Sequence, residues 1–416
     1  MPSANSTDID SPAMRQAGRD ALSLALIDAR NHTLRLLAGH EAPAETANAA
    51  HAASRLAPAL RLAGHAGWFG EYWIARNTLR ALGSACAAQP PRLASIEPHA
   101  DLWWASDVAP APAQGDPEPP DATATRAWLR ETLETTLELL EKAPDTDEGL
   151  YFFRLALFHE DALGERLVEL AQTLGVSLGL AEPATAAPRS PLGVPATRWE
   201  LGSAPGGFVF DNEKWAHRVA LPEFEIDAQP VNWAQYIEFV DDGGYDRAEL
   251  WHPEGWAWLQ AEEATGGRRG PRHVEQIGVA RFGGAGAVLQ RRFGRVVRLA
   301  GQHPVAHASW WEADAWCRWA GRRLPDEAEW ELAAHLLAGR GFRWGEVCEW
   351  TAGRFLPYPG FEADPWAAYS APFFGVTRVR RGASWATRQR LKHPKMRWFA
   401  PPSHDDAFVG FRSCAV

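Results

Sequence analysis

Cysteine is scarce in this chain, and long apolar runs are missing. The four cysteines, Cys86, Cys317, Cys348 and Cys414, form no CxxC pair, and none shares a short segment with a histidine pair. A zinc ribbon and a disulfide framework are therefore not expected. No segment has the apolar length that spans a bilayer, and the polar N-terminus lacks the apolar stretch of a signal peptide. We expect a protein of the reducing cytoplasm, without a membrane partner.

Positive charge and tyrosine are also in short supply. The 42 Lys and Arg residues are outnumbered by 52 Asp and Glu, which gives a net charge of −10. Because phosphate binding needs clustered basic side chains, nucleic acid is not expected as a partner. There are 6 Tyr but 21 Trp. We expect most Trp side chains to fill the core of a loop-rich domain, and a few to line a pocket for a cationic ligand.

The length of 416 residues predicts two domains. In the first part, apolar residues recur at three- and four-residue spacing over 21–37, 59–82, 125–143 and 149–175. Four amphipathic helices of this kind are typical of an antiparallel bundle.

The pattern changes after the helical part. An Ala-, Pro-, Thr-, Ser- and Gly-rich stretch indicates a linker, and strand-like pieces such as 208–210 and 376–380 follow. Two further helices are predicted over 309–320 and 326–337. The sequence thus predicts an α+β protein, with its segments in this order: a disordered N-terminus over 1–18, a four-helix bundle over 19–180, a linker over 181–199 and a loop-rich domain over 200–416.

Several long motifs follow one another in the second half. They include HPVAHASWWEADAWCRWAGRRLPDEAEWELAA from His303, GEVCEWT from Gly345 and RRGASWAT from Arg380. With these motifs, residues 200–416 resemble the C-type-lectin-like domain shared by formylglycine-generating enzymes and sulfoxide synthases. Formylglycine generation uses a copper-binding cysteine pair, for which this chain has Thr387 and Lys392. Neither side chain supplies the thiolate that copper(I) needs, so that activity is excluded.

Two motifs in the first half carry histidine: GHAGWFGEYWIARN from Gly64 and ALFHEDALGERL from Ala156. They resemble the DinB-like bundle of ergothioneine-type sulfoxide synthases, which binds non-heme iron through three histidines. The resemblance implies Fe(II) as cofactor, with His65 and His159 as ligands. The third histidine is expected one helical turn after His159, where this chain has Leu163.

The identity of a third ligand stays open at this point. Asp161, Glu165, Glu71 or water could complete a two-histidine site, or the site could be weakened or lost. A histidine among apolar residues is also often only a hydrogen-bonded core residue, which is the structural alternative for both His65 and His159.

Finer details resemble the selenoneine synthases, which join a selenosugar to hercynine, the trimethylated betaine of histidine. The matching segments are LIDARNHTLRLL from Leu26, GEYWIARN from Gly70 and PHADLWWASDVAP from Pro98. The resemblance implies an iron- and oxygen-dependent enzyme that forms a C–Se bond on hercynine. The alternatives are an ergothioneine-type synthase that takes a thiol and forms a C–S bond, and a metal-poor relative that binds without catalysis. The oligomeric state stays open.

Further site residues come from the same resemblance. Relatives that use glutamyl-cysteine carry an RNWD-like segment, whereas this chain has Arg397, Trp398, Phe399 and Ala400. We predict that Arg397, Trp398 and Phe399 bind substrate, because a sugar can pack a face on aromatic rings; simple packing of the two aromatic residues is the alternative. The family's proton-donating tyrosine lies in a loop that matches DPWAAYSAPFFG, which makes Tyr369 the candidate, with Tyr358 and Trp366 as competitors.

Overall fold

The computed structural model describes residues 8–41, 49–106, 116–181, 185, 187–278 and 287–416. Within these ranges the α-helices are α1 (Arg19–Glu41), α2 (Ala49–Gly70), α3 (Ala100–Trp104), α4 (Ala122–Glu141), α5 (Asp147–Leu174), α6 (Trp233–Asp241), α7 (Pro253–Gly266), α8 (Trp310–Trp319) and α9 (Glu327–Leu336). The strands are β1 (Leu192–Val194), β2 (Thr197–Leu201), β3 (His217–Leu221), β4 (Phe224–Ile226), β5 (Val274–Gly278), β6 (Ala287–Arg292), β7 (Arg295–Leu299), β8 (Arg322–Arg323), β9 (Cys348–Arg354), β10 (Arg378–Arg381), β11 (Arg397–Ala400), β12 (Val409–Phe411) and β13 (Cys414–Ala415).

Four long helices of the first half pack against one another. Helix α1 contacts α5 most extensively, and α2 contacts both α4 and α5. The side chains of Asp121 and Thr146 accept hydrogen bonds from backbone N–H groups in the first turns of α4 and α5, which fixes where these helices begin. Helix α5 ends at Gly175, whose φ of 67° is the left-handed conformation that glycine adopts without strain. The four helices predicted from apolar spacing are present, but the one predicted over 59–82 is α-helical only to Gly70 and ends with a π-helical turn at Ala75.

The second half contains small sheets joined by loops. One sheet has the strand order β1-β4-β13-β8, and a second has the order β11-β10-β9-β12, in which β9 and β12 run parallel. A hairpin, β2-β3, and a three-stranded meander, β5-β6-β7, complete the described strands. Helices α6 and α8 each begin with a reciprocal capping box, which stabilises these short helices locally. The mixture of helices and sheets confirms the α+β class.

One apolar core is common to both halves of the chain. Phe208, Phe210, Leu391, Met396 and Phe408 of the second half pack into the same cluster as the buried side chains of the bundle. Two further cores lie entirely within the second half. Within the described ranges, no helix combines the length and the apolarity needed to cross a bilayer.

The N-terminal segment differs from its prediction. Residues 8–18 are ordered and contain a 3₁₀ turn over Pro12–Gln16, where Met14 is fully buried. Arg15 forms a buried ion pair with Glu213, with 2.7 Å between Nη1 and Oε2. The prediction of disorder is wrong for residues 8–18, because their partners lie far away in sequence and the local composition does not show them. Residues 1–7 lie outside the described residues.

Two other predictions also need correction. Strands β1 and β2 begin inside the predicted linker 181–199, because β1 pairs with β4 and β2 pairs with β3. Residues 208–210 are not a strand; they are an irregular segment that places Phe208 and Phe210 against the bundle. Their apolar character reflects burial between the two halves rather than sheet pairing.

Candidate functional site

The two histidines of the motifs face each other inside the first half. The Nε2 atom of His65 on α2 lies 3.1 Å from the Nε2 atom of His159 on α5, and both side chains are buried. The Nδ1 atom of His65 lies 2.6 Å from the carbonyl oxygen of Trp104, to which it donates. This bond fixes the tautomer and directs the unprotonated Nε2 of His65 towards His159. The structure therefore brings the two predicted ligands together.

Glycines beside His65 explain how this pair forms. A Cβ atom at Gly64 would lie 2.0 Å from the indole nitrogen of Trp104, and one at Gly67 would lie 2.6 Å from that of Trp128. The two indoles also stack on each other, with ring centroids 4.9 Å apart. Only glycine at these positions lets the indoles reach the surface of α2, and this contact places the Trp104 carbonyl at His65.

Burial keeps both imidazoles neutral. It lowers the pKa of His65 to about 4, and the positive charges of Arg166 and Arg61 act in the same direction, against the bond to Trp104. Burial and the neighbouring His65 hold the pKa of His159 well below its ordinary value. A metal ligand must be unprotonated, so both histidines are in the binding form at neutral pH.

A third protein ligand is not provided by the candidates that the sequence left open. Leu163 follows His159 by one turn and lines the same cavity with an apolar side chain. The three carboxylates have other partners, which are Arg390 for Asp161, Ser384 and Thr387 for Glu165, and Ser95 and Ile96 for Glu71. Among the residues that the structure describes, no three His, Cys, Asp or Glu side chains converge as a metal site.

The pair still has the geometry of two metal ligands. With a metal–nitrogen distance of about 2.1 Å, two ligands at a right angle lie about 3.0 Å apart. The 3.1 Å between the Nε2 atoms of His65 and His159 matches this separation. The two residues therefore fit a ferrous ion whose other positions are left to water or substrate. A direct N–H···N hydrogen bond between the rings is the alternative without metal.

A cavity of about 660 Å³ opens on the histidine pair. A π-helical turn over Glu71–Ala75 extends α2 and brings additional aromatic residues to this wall. The aromatic lining consists of Trp68, Phe69, Tyr72, Trp73, Trp366, Tyr369, Phe373 and Phe399. Arg166 also lines the cavity, whereas no carboxylate of the described residues does. A cationic ligand would therefore be bound here by aromatic faces.

A second cavity of about 470 Å³ adjoins the first and shares Ala162, Arg166, Phe373 and Phe399 with it. Its other walls carry polar and aromatic side chains, which include Glu165, Glu169, Arg380, Trp398 and His404. Burial raises the pKa of Glu169 to about 8, and the negative charge of Glu165 adds to this. Near neutral pH the Glu169 carboxyl is therefore mostly protonated and can donate a hydrogen bond.

Of the three candidates for the proton donor, two line the main cavity. The ring of Tyr369 lies 4.8 Å from that of Trp366, which in turn meets His159 edge-on at 4.9 Å. The Tyr369 hydroxyl is buried, and it forms no hydrogen bond of normal geometry with any described residue. Tyr358 lies elsewhere, in a core of the second half, where the Arg397 guanidinium covers its ring at 3.9 Å.

The three predicted substrate-binding residues do not share one site in the structure. Arg397 is fully buried and does not line either cavity, because its guanidinium pairs with Glu327 at 2.8 Å and donates to two backbone carbonyl groups. The prediction that Arg397 binds substrate is wrong, since its donors are already used within the protein. Trp398 lines the second cavity, and Phe399 lines both.

Sequence reasoning missed several lining residues. Trp68, Phe69 and Tyr72 lie three, four and seven residues after His65, so they share its helix face, and this spacing could have identified them. Glu169 lies ten residues after His159, and Arg380 and His404 are remote in sequence. No local signal brings these last three to one cavity.

Comparisons with known proteins agree with the motifs. Residues 180–346 match the model of the sulfatase-modifying factor enzyme 1-like domain. The hercynine oxygenase of Mycolicibacterium smegmatis is 30% identical, over 95% of this chain and 98% of its own. That of Mycolicibacterium thermoresistibile is 27% identical, over 95% of this chain and 94% of its own. The formylglycine-generating enzyme of Streptomyces coelicolor is 36% identical, but over only 40% of this chain and 55% of its own.

Proposed function

Because the chain belongs to the hercynine oxygenase family, the ergothioneine-type sulfoxide synthases, we propose that it is an oxygen-dependent enzyme acting on hercynine. In this proposal residues 19–180 are the DinB-like bundle and residues 200–416 the formylglycine-generating-enzyme-like domain. The observation that carries the proposal is the pair of converging Nε2 atoms of His65 and His159, which opens on an aromatic cavity.

We propose that His65 and His159 hold Fe(II) through their Nε2 atoms. Bound iron supplies the oxygen activation and one-electron chemistry that amino-acid side chains lack. The Trp104 carbonyl orients His65 and increases its basicity by accepting the Nδ1–H bond. The apolar side chain of Leu163 leaves the adjacent position without a protein ligand, so substrate groups have access to it.

Hercynine fits the main cavity by charge and shape. Its trimethylammonium group would contact aromatic faces such as those of Trp68 and Trp366, each good contact contributing about 0.5 to 2 kcal/mol. Its carboxylate would lie towards Arg166, which supplies positive charge on the cavity wall. The imidazole of hercynine would then be directed to His65 and His159.

We propose a selenosugar as the second substrate, bound in the adjoining cavity. Sugar hydroxyl groups need donors and acceptors on several sides, which Glu165, Glu169 and Arg380 supply. The aromatic rings of Trp398 and Phe399 would contact an apolar sugar face. In the overall reaction a C–Se bond would replace the C–H bond of the imidazole carbon between the two nitrogens and the Se–H bond of the selenosugar, with oxygen as the electron acceptor. Tyr369 would hold the proton that oxygen reduction consumes.

A second candidate function is a metal-poor relative that binds a betaine without catalysis. The observation that favours it is Leu163, together with the 3.1 Å contact that lets His65 and His159 bond directly to each other. A third possibility keeps the chemistry and replaces the selenosugar by a thiol.

One reconstitution experiment separates these functions. The protein is loaded anaerobically with Fe(II) and mixed with hercynine, oxygen and either a selenosugar or a thiol donor. Iron content, oxygen uptake and the mass of the product are measured. His65→Asn and His159→Asn are the ligand variants, and Tyr358→Phe, outside both cavities, is the matched control.

For the wild type we expect about one iron per chain and a selenium-linked hercynine product. The two histidine variants should lose the iron and the product, and the control should keep both. If only a sulfur-linked product forms, the second substrate is a thiol and not a selenosugar. Folded protein without iron or turnover would identify the non-catalytic relative and overturn the proposal.

A further inference from the structure

A small void lies beside the loop that carries Tyr369. Its volume of about 10 Å³ is about the space for one water molecule. Its walls include Asp211, Asp364, Tyr151, Trp366 and Tyr369, of which the last two also line the main cavity. The void therefore adjoins the proposed reaction site through the two aromatic side chains that line both spaces.

Asp211 and Tyr369 both line this void, and each has a buried side-chain oxygen atom. The Asp211 side chain is 2% exposed, and its Oδ2 atom has no hydrogen-bond partner within the described part of the chain. The Tyr369 hydroxyl is buried as well, and the Asn212 side chain lies close enough to lower its pKa. A buried carboxylate oxygen without a protein partner is costly, so a shared water or a proton is the physical solution for both groups.

Asp211 is also tied to the same loop. The hydroxyl of Ser370, the residue after Tyr369, donates to Oδ1 of Asp211 at 2.6 Å. This bond fixes the carboxyl beside the tyrosine and leaves Oδ2 directed away from Ser370. The Tyr369 ring is held by stacking on Phe210, with centroids 5.1 Å apart. Both groups are thus held in place by contacts that do not involve the reacting atoms.

From this geometry we propose that Asp211 exchanges a proton with Tyr369 across the void and restores the tyrosine after each turnover. The inference rests on the proposed function, in which Tyr369 holds the proton that oxygen reduction consumes. When Tyr369 has lost its phenolic proton, the Asp211 carboxyl O–H bond breaks and a new O–H bond forms on the phenolate, through one water. One proton moves, no electrons move, and Asp211 is left as a carboxylate that takes its next proton from solvent.

The charges around Asp211 suit this role. Burial and the charge of Asp364 raise the pKa of Asp211 to about 6, against the Ser370 bond, the charge of Lys214 and the backbone N–H of Asn212, which lower it. Asp364 is ion-paired with Lys214 at 2.6 Å and is 12% exposed, so it lies on the solvent side of the void. Burial, Asp211 and Glu213 raise the pKa of Tyr369, and Arg15 lowers it. The tyrosine therefore holds its proton tightly, and the carboxyl is the group that titrates near neutral pH.

The test uses the full chain labelled with 3-fluorotyrosine and needs neither iron nor substrate. Tyr369→Phe identifies the ¹⁹F resonance of Tyr369 among the 6 tyrosines. We expect this resonance to shift with a midpoint near pH 6 as Asp211 ionises. Asp211→Asn retains the acceptor for Ser370 but cannot ionise, so the shift should vanish. Ser370→Ala removes the tether but keeps the carboxyl, so the shift should persist.

Turnover gives a second, separate readout. With the reconstituted enzyme, Asp211→Asn should lower kcat about 10-fold or more and leave KM unchanged. The wild-type decline of kcat as pH rises through about 6 should be flattened in this variant. The inference would be overturned if the chemical shift of the Tyr369 resonance does not change with pH in the wild type, or if it changes equally in Asp211→Asn. If the Tyr369 resonance titrates with Asp211 but the protein shows no turnover, the interaction between Asp211 and Tyr369 stands and the proposed function is refuted instead.

Discussion

Replacing Leu163 by histidine tests directly whether this position faces a metal. Leu163 lies one turn after His159 and is 2% exposed in the wall of the main cavity. The substitution removes about 1.5 to 3 kcal/mol of apolar burial and buries an imidazole at a cost of about 1 to 3 kcal/mol. Because histidine and leucine are similar in size, no large void should form. We expect the metal-free variant to be less stable than the wild type by about 2.5 to 6 kcal/mol.

Metal should reverse this loss. A third imidazole on the face of His159 completes three ligands, so Leu163→His should bind Fe(II) or Co(II) more tightly than the wild type. At a metal concentration 100 times the Kd, binding adds about 2.7 kcal/mol to the free energy of unfolding. The measurement is urea unfolding under anaerobic conditions, with and without metal, together with the visible spectrum of bound Co(II).

Leu163→Gln is the matched control, since it buries a polar group of similar size that is a poor ligand. It should lose stability like Leu163→His but regain none with metal. If both variants are destabilised equally, and metal rescues neither while it stabilises the wild type, then position 163 does not face the metal and our account of the site fails.

Three further predictions follow from named contacts. Glu169 has a pKa of about 8 in the folded protein, above its ordinary value of 4.5, so its stabilising effect is complete below pH 4.5 and is lost as pH rises through 8. Glu169→Gln should therefore flatten the pH dependence of the free energy of unfolding between pH 4.5 and 8, as measured in urea. At pH 8 the variant should be more stable than the wild type by about 1 to 2 kcal/mol, after allowance for screening in the cavity. An unchanged pH profile would refute the assignment. Asp161→Leu removes the fully buried ion-pair partner of Arg390 and leaves it only the partly exposed Asp28, so it should cost up to about 3 kcal/mol. Asp161→Leu with Arg390→Met should cost clearly less, and equal losses in a double-mutant cycle would show that the ion pair is not the cause. Trp68→Leu should raise KM for hercynine about 2- to 30-fold without changing iron content, and a variant that instead loses iron would show that Trp68 supports the histidines and not the betaine.

Much of the helical half could be predicted from the sequence by itself. Helix positions are encoded locally, because apolar side chains at three- and four-residue spacing share a face. For the same reason, the spacing of His65, Phe69 and Tyr72 is enough to assign them to one helix face. The motifs around His65 and His159 also indicated the family, because they match the family's motifs in residues and in order.

Only the tertiary structure decided how these pieces meet. It brought the two histidines to 3.1 Å, showed that Arg397 is occupied by Glu327, and ordered residues 8–18 through Arg15 and its distant partner Glu213. Each of these facts depends on which remote side chain fills a space or neutralises a charge. A local pattern specifies the face that a residue occupies, whereas the partner on the other side is set by the packing of segments that are 70 to 198 residues apart in these three cases.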